Sequence, residues 1–166
     1  MAMTLEGPLK DRASWRADDC SIGKAMEAVG ARSAILLLRE AYYGTTRFDD
    51  FVERVGITDA VAATRLKQLV DVGVLERRPY REPGQRTRHE YVLTPMGRDL
   101  LPAVLALMQW GDKYLQPHGA PLRVVERATG APVAIRPRSE SGHDVELEDL
   151  AVTVNEERRA AVRTGR

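Results

Sequence analysis

Residues 33–94 constrain this chain more than any other stretch, because the hydrophobic period changes there from helical to alternating just once. Ser33–Tyr43 is a mostly apolar run, centred on Ala34-Ile35-Leu36-Leu37-Leu38, that predicts a core helix closed by Gly44 in the left-handed conformation. A second helix follows, with Thr46 as expected N-cap, Asp49 in the first turn, and Phe48, Phe51, Val52 and Val55 on one stripe. Gly56 stops it. After the short break Val55-Gly56-Ile57-Thr58, Thr58 is placed to cap a third helix. Its inward positions are Val61, Ala62, Leu66, Leu69 and Val70, and its outward positions are Ala60, Ala63, Thr64, Lys67 and Asp71. Gly73 ends it. Residues 74–78 and 89–93 then read as paired strands around a loop punctuated by Pro83-Gly84.

Helix, helix, short turn, helix and basic hairpin is the order of a winged helix-turn-helix, which offers one helix to the DNA major groove and a basic loop to the backbone. The expected fold is therefore mainly α with small β (α+β). A helix that enters a groove needs a small, polar outer face, and the outward positions of the third helix supply one. Its expected reading residues are Thr58, Asp59, Ala60, Ala63, Thr64, Arg65, Lys67 and Gln68. Thr64 is suited to a base edge, Ala63 to a thymine methyl, and Arg65 to bracing or phosphate. Arg47, Arg78, Arg81, Arg86 and Arg88, with Lys67, are the expected phosphate contacts. An ordinary amphipathic surface helix is the competing reading, which the basic hairpin beside it disfavours.

Net charge is only +1, but its distribution is uneven. Residues 77–88 hold five arginines (77, 78, 81, 86, 88) against Glu82, whereas residues 144–157 hold six acids (144, 146, 148, 149, 156, 157) and no Lys, Arg or His. A local basic patch is the footprint of a nucleic-acid contact. The chain lacks phosphate-loop, dinucleotide, metalloprotease and nucleophile-elbow motifs, so an enzyme is not expected. His118 and His143 cannot complete a four-ligand zinc site, and neither metal nor cofactor is expected. No apolar run reaches membrane length and no secretory segment is visible, so the expected setting is the cytoplasm. The alternative to sequence-specific DNA binding is a winged helix used only for protein contact, docking through the acidic 144–157 segment.

Around this centre, residues 1–19 read as a flexible arm in which Trp15 is expected to pack. Ser21–Val29 reads as a helix with Ile22, Ala25, Met26 and Val29 on one face. Thr94-Pro95 starts a long helix that Pro102 should kink. Its apolar surface is wider than one domain needs, which points to a homodimer through Trp15, Leu100, Val104, Leu107, Met108 and Trp110. Residues 20–116 form the expected main domain. Residues 117–157 form a small β appendage, with a hairpin of Leu122–Arg127 and Val133–Arg136 and a further strand near Val145–Val154. Residues 158–166 form a tail.

The ordered set Cys20, Leu36-Leu37-Leu38-Arg39-Glu40, Arg47-Phe48 with Phe51, Ile57-Thr58, Arg65-Leu66, Leu69, Gly73-Val74-Leu75-Glu76-Arg77-Arg78, Tyr91 to Gly97 and Trp110-Gly111 resembles the HxlR-type winged helix-turn-helix regulators, over roughly residues 18–115. The resemblance implies a small homodimeric bacterial regulator that binds double-stranded DNA. It departs from the family where Ala31-Arg32-Ser33 replaces a usual Gly-Lys-Trp and Asp59-Ala60 replaces a frequent Pro-Lys, which implies a different operator. It also implies that Cys20 senses oxidants or electrophiles, alongside a small-molecule effector as a further partner. A thiol before a helix gains from the dipole, while Asp18 and Asp19 oppose a second negative charge. Small-residue packing in the dimer core is the other reading of Cys20.

Overall fold

The computed structural model describes residues 2–14, 20–81 and 83–157. Trp15 and the 158–166 tail lie outside the described residues. Two compact units divide the chain, one made of residues 21–135 and the other of residues 1–20 with 136–166.

The larger unit runs α1 (Ser21–Val29), α2 (Arg32–Tyr42), α3 (Phe48–Val55), α4 (Asp59–Asp71), β2 (Leu75–Tyr80), β3 (Arg88–Leu93), α5 (Pro95–Asp99) and α6 (Leu101–Leu115). It is the winged helix-turn-helix that the hydrophobic periods predict. Its core is one cluster in which Leu37, Leu38, Phe51, Leu66, Leu69 and Leu75 are fully buried. α2 lies at the centre, packed on α3, α4 and β3. Phe51 meets the Tyr91 ring edge-on at 6.3 Å between centroids, which ties α3 to β3. Gly44 adopts φ 94 after α2, as expected, because a side chain there would be strained.

Several local expectations change. Thr46 does not cap α3. Arg47 occupies that position without a side-chain cap, and the Thr46 carbonyl instead accepts the Tyr91 amide at 2.8 Å. Arg47 also bridges Glu90, so the chain before α3 lies as a third, one-residue strand beside β3. Val61 was expected to face inward but is 40% exposed. The long helix after Thr94 is two helices, broken at Leu100. Pro102 has no N–H for the Arg98 carbonyl, so it is accommodated in the first turn of α6 rather than inside a continuous helix. Thr94 caps α5 as expected, accepting the Gly97 amide at 3.1 Å, and its hydroxyl donates to the Gly73 carbonyl at 2.6 Å. Gly97 is required there, because a Cβ would stand 2.2 Å from the Val74 carbonyl oxygen.

The β appendage is smaller than expected and is shared between the units. The hairpin of 122–136 reduces to one bridge, Val125 with Pro132, since proline cannot donate to a ladder. Gln109 of α6 holds this segment, donating to the Val133 carbonyl at 2.8 Å and accepting from the Ile135 amide at 2.9 Å. In the smaller unit the expected flexible arm is ordered as β1 (Thr4–Leu5) and two 3₁₀ turns, Gly7–Lys10 and Arg12–Ser14. β1 pairs in parallel with β4 (Ala151–Val152), the remnant of the predicted 145–154 strand, and Leu147–Asp149 is a 3₁₀ turn.

Candidate nucleic-acid interface

α4 is held as a unit by its own sequence and by α1. The Thr58 side chain accepts the Val61 amide at 3.4 Å, which satisfies one of the donors left open at a helix start. Leu66 and Leu69 fix the inner face in the core. Arg65 donates to Gln68 at 2.8 Å, and the Gln68 amide donates to the carbonyls of Glu27 and Ala28 at 3.1 and 3.3 Å. Gln68 therefore caps the end of α1 and sets the angle of α4, and Arg65 steadies Gln68. Gln68 was expected on the reading face, and Arg65 beside it as a brace or phosphate contact; the hydrogen bonds commit both to this brace.

The remaining outward residues are exposed: Thr58, Asp59, Ala60, Ala63, Thr64 and Lys67. Val61, 40% exposed, joins them. The Thr64 hydroxyl donates to the Ala60 carbonyl at 2.8 Å, which commits its proton and leaves its oxygen lone pairs outward as an acceptor. Lys67 pairs with Asp71 one turn on. A solvated i,i+4 pair of this kind contributes only about 0.3–0.5 kcal/mol, so Lys67 exchanges Asp71 for a phosphate at little cost.

In the wing, β2 and β3 pair from Leu75–Leu93 to Tyr80–Arg88, two residues beyond the predicted end of the first strand and one before the predicted start of the second. The Arg47 guanidinium lies 3.5 Å over the Tyr80 ring, and Arg47, Arg77, Arg88 and His89 line a pocket of about 460 Å³ with Tyr80 and Asp49. Arg77 and Tyr80 were not among the expected contacts. The register that brings them together follows from Pro79 lying opposite His89 in the sheet, which the strand ends read from sequence left out. Along β2 the Arg78 guanidinium binds Glu76, and at the tip Arg81 donates to the Gln85 carbonyl at 3.1 Å, which closes it. Arg86 and Arg88 are exposed, and their side chains make no hydrogen bond or ion pair among the described residues.

The expected dimer residues separate by face. Leu100 packs on the buried core of its own chain. Val104, Leu107 and Met108 line a groove against α2, Leu107 while still 57% exposed, and Trp110 is 56% exposed on the other side of α6. Ile22 and Met26, expected to be a packed face of α1, are also exposed. Cys20, just before α1, is half-buried. Among the described residues no helix is long and apolar enough to cross a membrane, and no group of three His, Cys, Asp or Glu is placed to hold a metal.

Known proteins share this arrangement. A helix-turn-helix-type transcriptional regulator of Mycobacterium tuberculosis, Rv3095, itself uncharacterised, is 43% identical over 118 residues, spanning 70% of this chain and 73% of its own. The crystal structure of PA1607, described as a candidate transcription factor, superposes with a TM-score of 0.73 at 33% identity, covering 81% of this chain and 94% of that one. The reduced form of a redox regulator, HypR, superposes at 0.52 with 26% identity over 57% of this chain and 93% of its own. Residues 28–119 match the HxlR-like helix-turn-helix description, and with more than half of its length inside that match the chain belongs to the HxlR-like helix-turn-helix family.

Proposed function

We propose that the protein is a sequence-specific DNA-binding transcriptional regulator that acts in the cytoplasm as a homodimer. The observation that carries this reading is the pairing of a small, polar α4 face with a basic wing on the same unit. α4 enters the major groove with Thr58, Asp59, Ala60, Ala63 and Thr64 toward base edges, and Lys67 reaches the flanking phosphate. Arg47, Arg78, Arg81, Arg86 and Arg88 lie along the backbone with Arg77, and supply affinity without sequence information. Leu107, Trp110 and Tyr114 of α6 and Ile22 and Met26 of α1 are exposed apolar groups that a second copy covers. In the dimer two α4 helices lie one DNA turn apart, roughly 34–36 Å, on a pseudo-palindromic site.

Binding of the full chain to DNA from upstream of its own gene, against random duplex, tests the reading. Thr64→Ala lowers the discrimination between the two by about 1–3 kcal/mol. Arg86→Ala with Arg88→Ala weakens both duplexes alike and flattens the salt slope by about one unit per lost phosphate contact. Equal affinity for operator and random duplex in the wild type would leave protein contact as the function of the wing.

Cys20 is a proposed oxidant or electrophile sensor of this regulator. HypR is titled a redox regulator, and Cys20 precedes a helix N-terminus, where a thiolate is favoured. As the chain's single cysteine it can form only an intersubunit disulfide or a mixed adduct. Diamide or a quinone releases operator DNA from the wild type and leaves Cys20→Ser bound. Equal responses of the two proteins would return Cys20 to packing.

A further inference from the structure

α6 carries two apolar faces. Leu107, Trp110 and Tyr114 lie on one and are more than half exposed. At 100° per residue, Leu101, Val104, Leu105 and Met108 lie on the opposite one, turned toward α2, and Leu107 stands at the border, where it also lines the space against α2. There they form, with Ile35 and Leu36, a groove of about 380 Å³ whose far end is closed by Gln116, Pro121 and Leu122. This volume lies within the range of small-molecule sites, roughly 300–1,000 Å³. Trp110 and Tyr114 do not line the groove, so a second copy seated on them and a separate occupant of the groove are compatible.

The polar groups at the groove are unequal. Arg39 is occupied, its guanidinium binding the buried Glu40 carboxylate at 2.9 Å through Nε and 2.6 Å through Nη2. The Tyr42 hydroxyl is occupied too, donating to the Gly97 carbonyl at 2.6 Å. Asp112 is half-buried on the groove wall and has no hydrogen bond or ion pair among the described residues. The Tyr43 ring stands 54% exposed at the rim. An unpaired carboxylate and an aromatic face in an otherwise apolar slot are complementary to a positive charge on a hydrophobic body.

We propose that the α2–α6 groove is an effector site for a lipophilic cation, whose apolar body lies against Leu36, Val104 and Met108 and whose charge pairs with Asp112. The consequence for DNA rests on the regulator reading above: α2 packs directly on α3 and α4, so a ligand that shifts α2 shifts the reading helix. The binding site itself does not depend on that reading.

Calorimetry of the full chain with tetraphenylphosphonium and tetraphenylborate tests it, because the two ions share a shape and differ in sign of charge. The phosphonium binds one per chain, and the borate binds at least about tenfold more weakly. Asp112→Asn weakens the phosphonium about tenfold and spares the borate, and Val104→Trp, which fills the groove, removes both. Equal binding of the two ions, indifference to Asp112→Asn, or no phosphonium binding would overturn the proposal. So would a phosphonium that dissociates the dimer in sedimentation, which would make the groove a seat for the second copy. Anisotropy of labelled operator is read separately. Phosphonium binding with no operator binding would refute the regulator reading and leave the groove assignment standing.

Discussion

α2 and α6 are both rich in leucine, and the structure treats them oppositely. In α2, Ala34, Leu37, Leu38, Glu40 and Ala41 are buried. In α6, although it is longer, no residue is. Composition does not separate them, but neighbours do. α2 is enclosed by α3, α4 and β3, whereas α6 meets only α2, α5 and the irregular segment that Gln109 holds, and leaves its Trp110 and Tyr114 side open. Burial follows from how many elements surround a helix. An apolar helix at the edge of a domain is therefore a surface seeking partners.

The sharpest way to break this comparison is a matched truncation. Leu37→Ala removes a fully buried side chain and should lower unfolding stability by about 3 kcal/mol in urea titration. Leu107→Ala on α6 should leave the stability of the monomer within about 0.5 kcal/mol. Similar losses at both positions would mean that α6 is as interior as α2.

Next in size, Gly97→Ala should cost about 1–3 kcal/mol, since the added methyl must push α5 away from the Val74 carbonyl. α5 is the short helix that leads into α6, so its displacement tests whether the orientation of α6 depends on that contact. Thermal unfolding of the variant, with Arg98→Ala as an exposed control, decides it.

Trp110→Ala should act on assembly. Removing an exposed aromatic anchor should raise the dimer dissociation constant roughly 30-fold, or about 2 kcal/mol, while denaturant stability at low concentration stays unchanged. Sedimentation across a concentration series measures this. A monomeric wild type would place the α6 outer face outside any interface.

Tyr42→Phe is the mildest. It deletes the hydroxyl bonded to Gly97, and the loss should be about 1 kcal/mol at neutral pH. Burial raises the Tyr42 phenol above its ordinary 10.0. A group whose pKa is raised in the folded state gives stability that is full below the unfolded value and is lost as pH rises through the folded one. The wild type should therefore lose stability above pH 10, and Tyr42→Phe should lose less over the same range. Parallel pH profiles for the two proteins would show that the phenol does not titrate with folding.

Most of the helix-turn-helix was legible in the chain. α1 spans the predicted Ser21–Val29, and Thr58 and Thr94 cap the helices they were expected to cap. These features depend on contacts three or four residues apart, which a linear pattern carries directly. Thr46 failed as a cap because Tyr91 of β3 takes its carbonyl into the sheet, a partner 45 residues away. Gln68 reads as an outward polar residue on the helical wheel, yet it serves the open carbonyls at the end of α1, 40 residues earlier. The strands of 117–157 came out shorter than expected: 122–127 and 133–136 meet only at the Val125–Pro132 bridge, and of 145–154 only Ala151–Val152 pairs, with β1.

The sequence by itself determined the order of elements from α1 to β3, the caps at Thr58 and Thr94, the position of the basic tip and the family, because each of these is written in residue type and short spacing. Only the tertiary structure decided which apolar faces are buried and which stay open. It also decided that Gln68 braces α4 against the end of α1, that Arg77, Arg88 and His89 line one pocket with Arg47 and Tyr80, and that the Asp112 carboxylate stands unpaired in the α2–α6 groove. The physical reason is common to all of these. Burial and pairing depend on which distant segments share a surface, and that is settled by packing the whole chain at once.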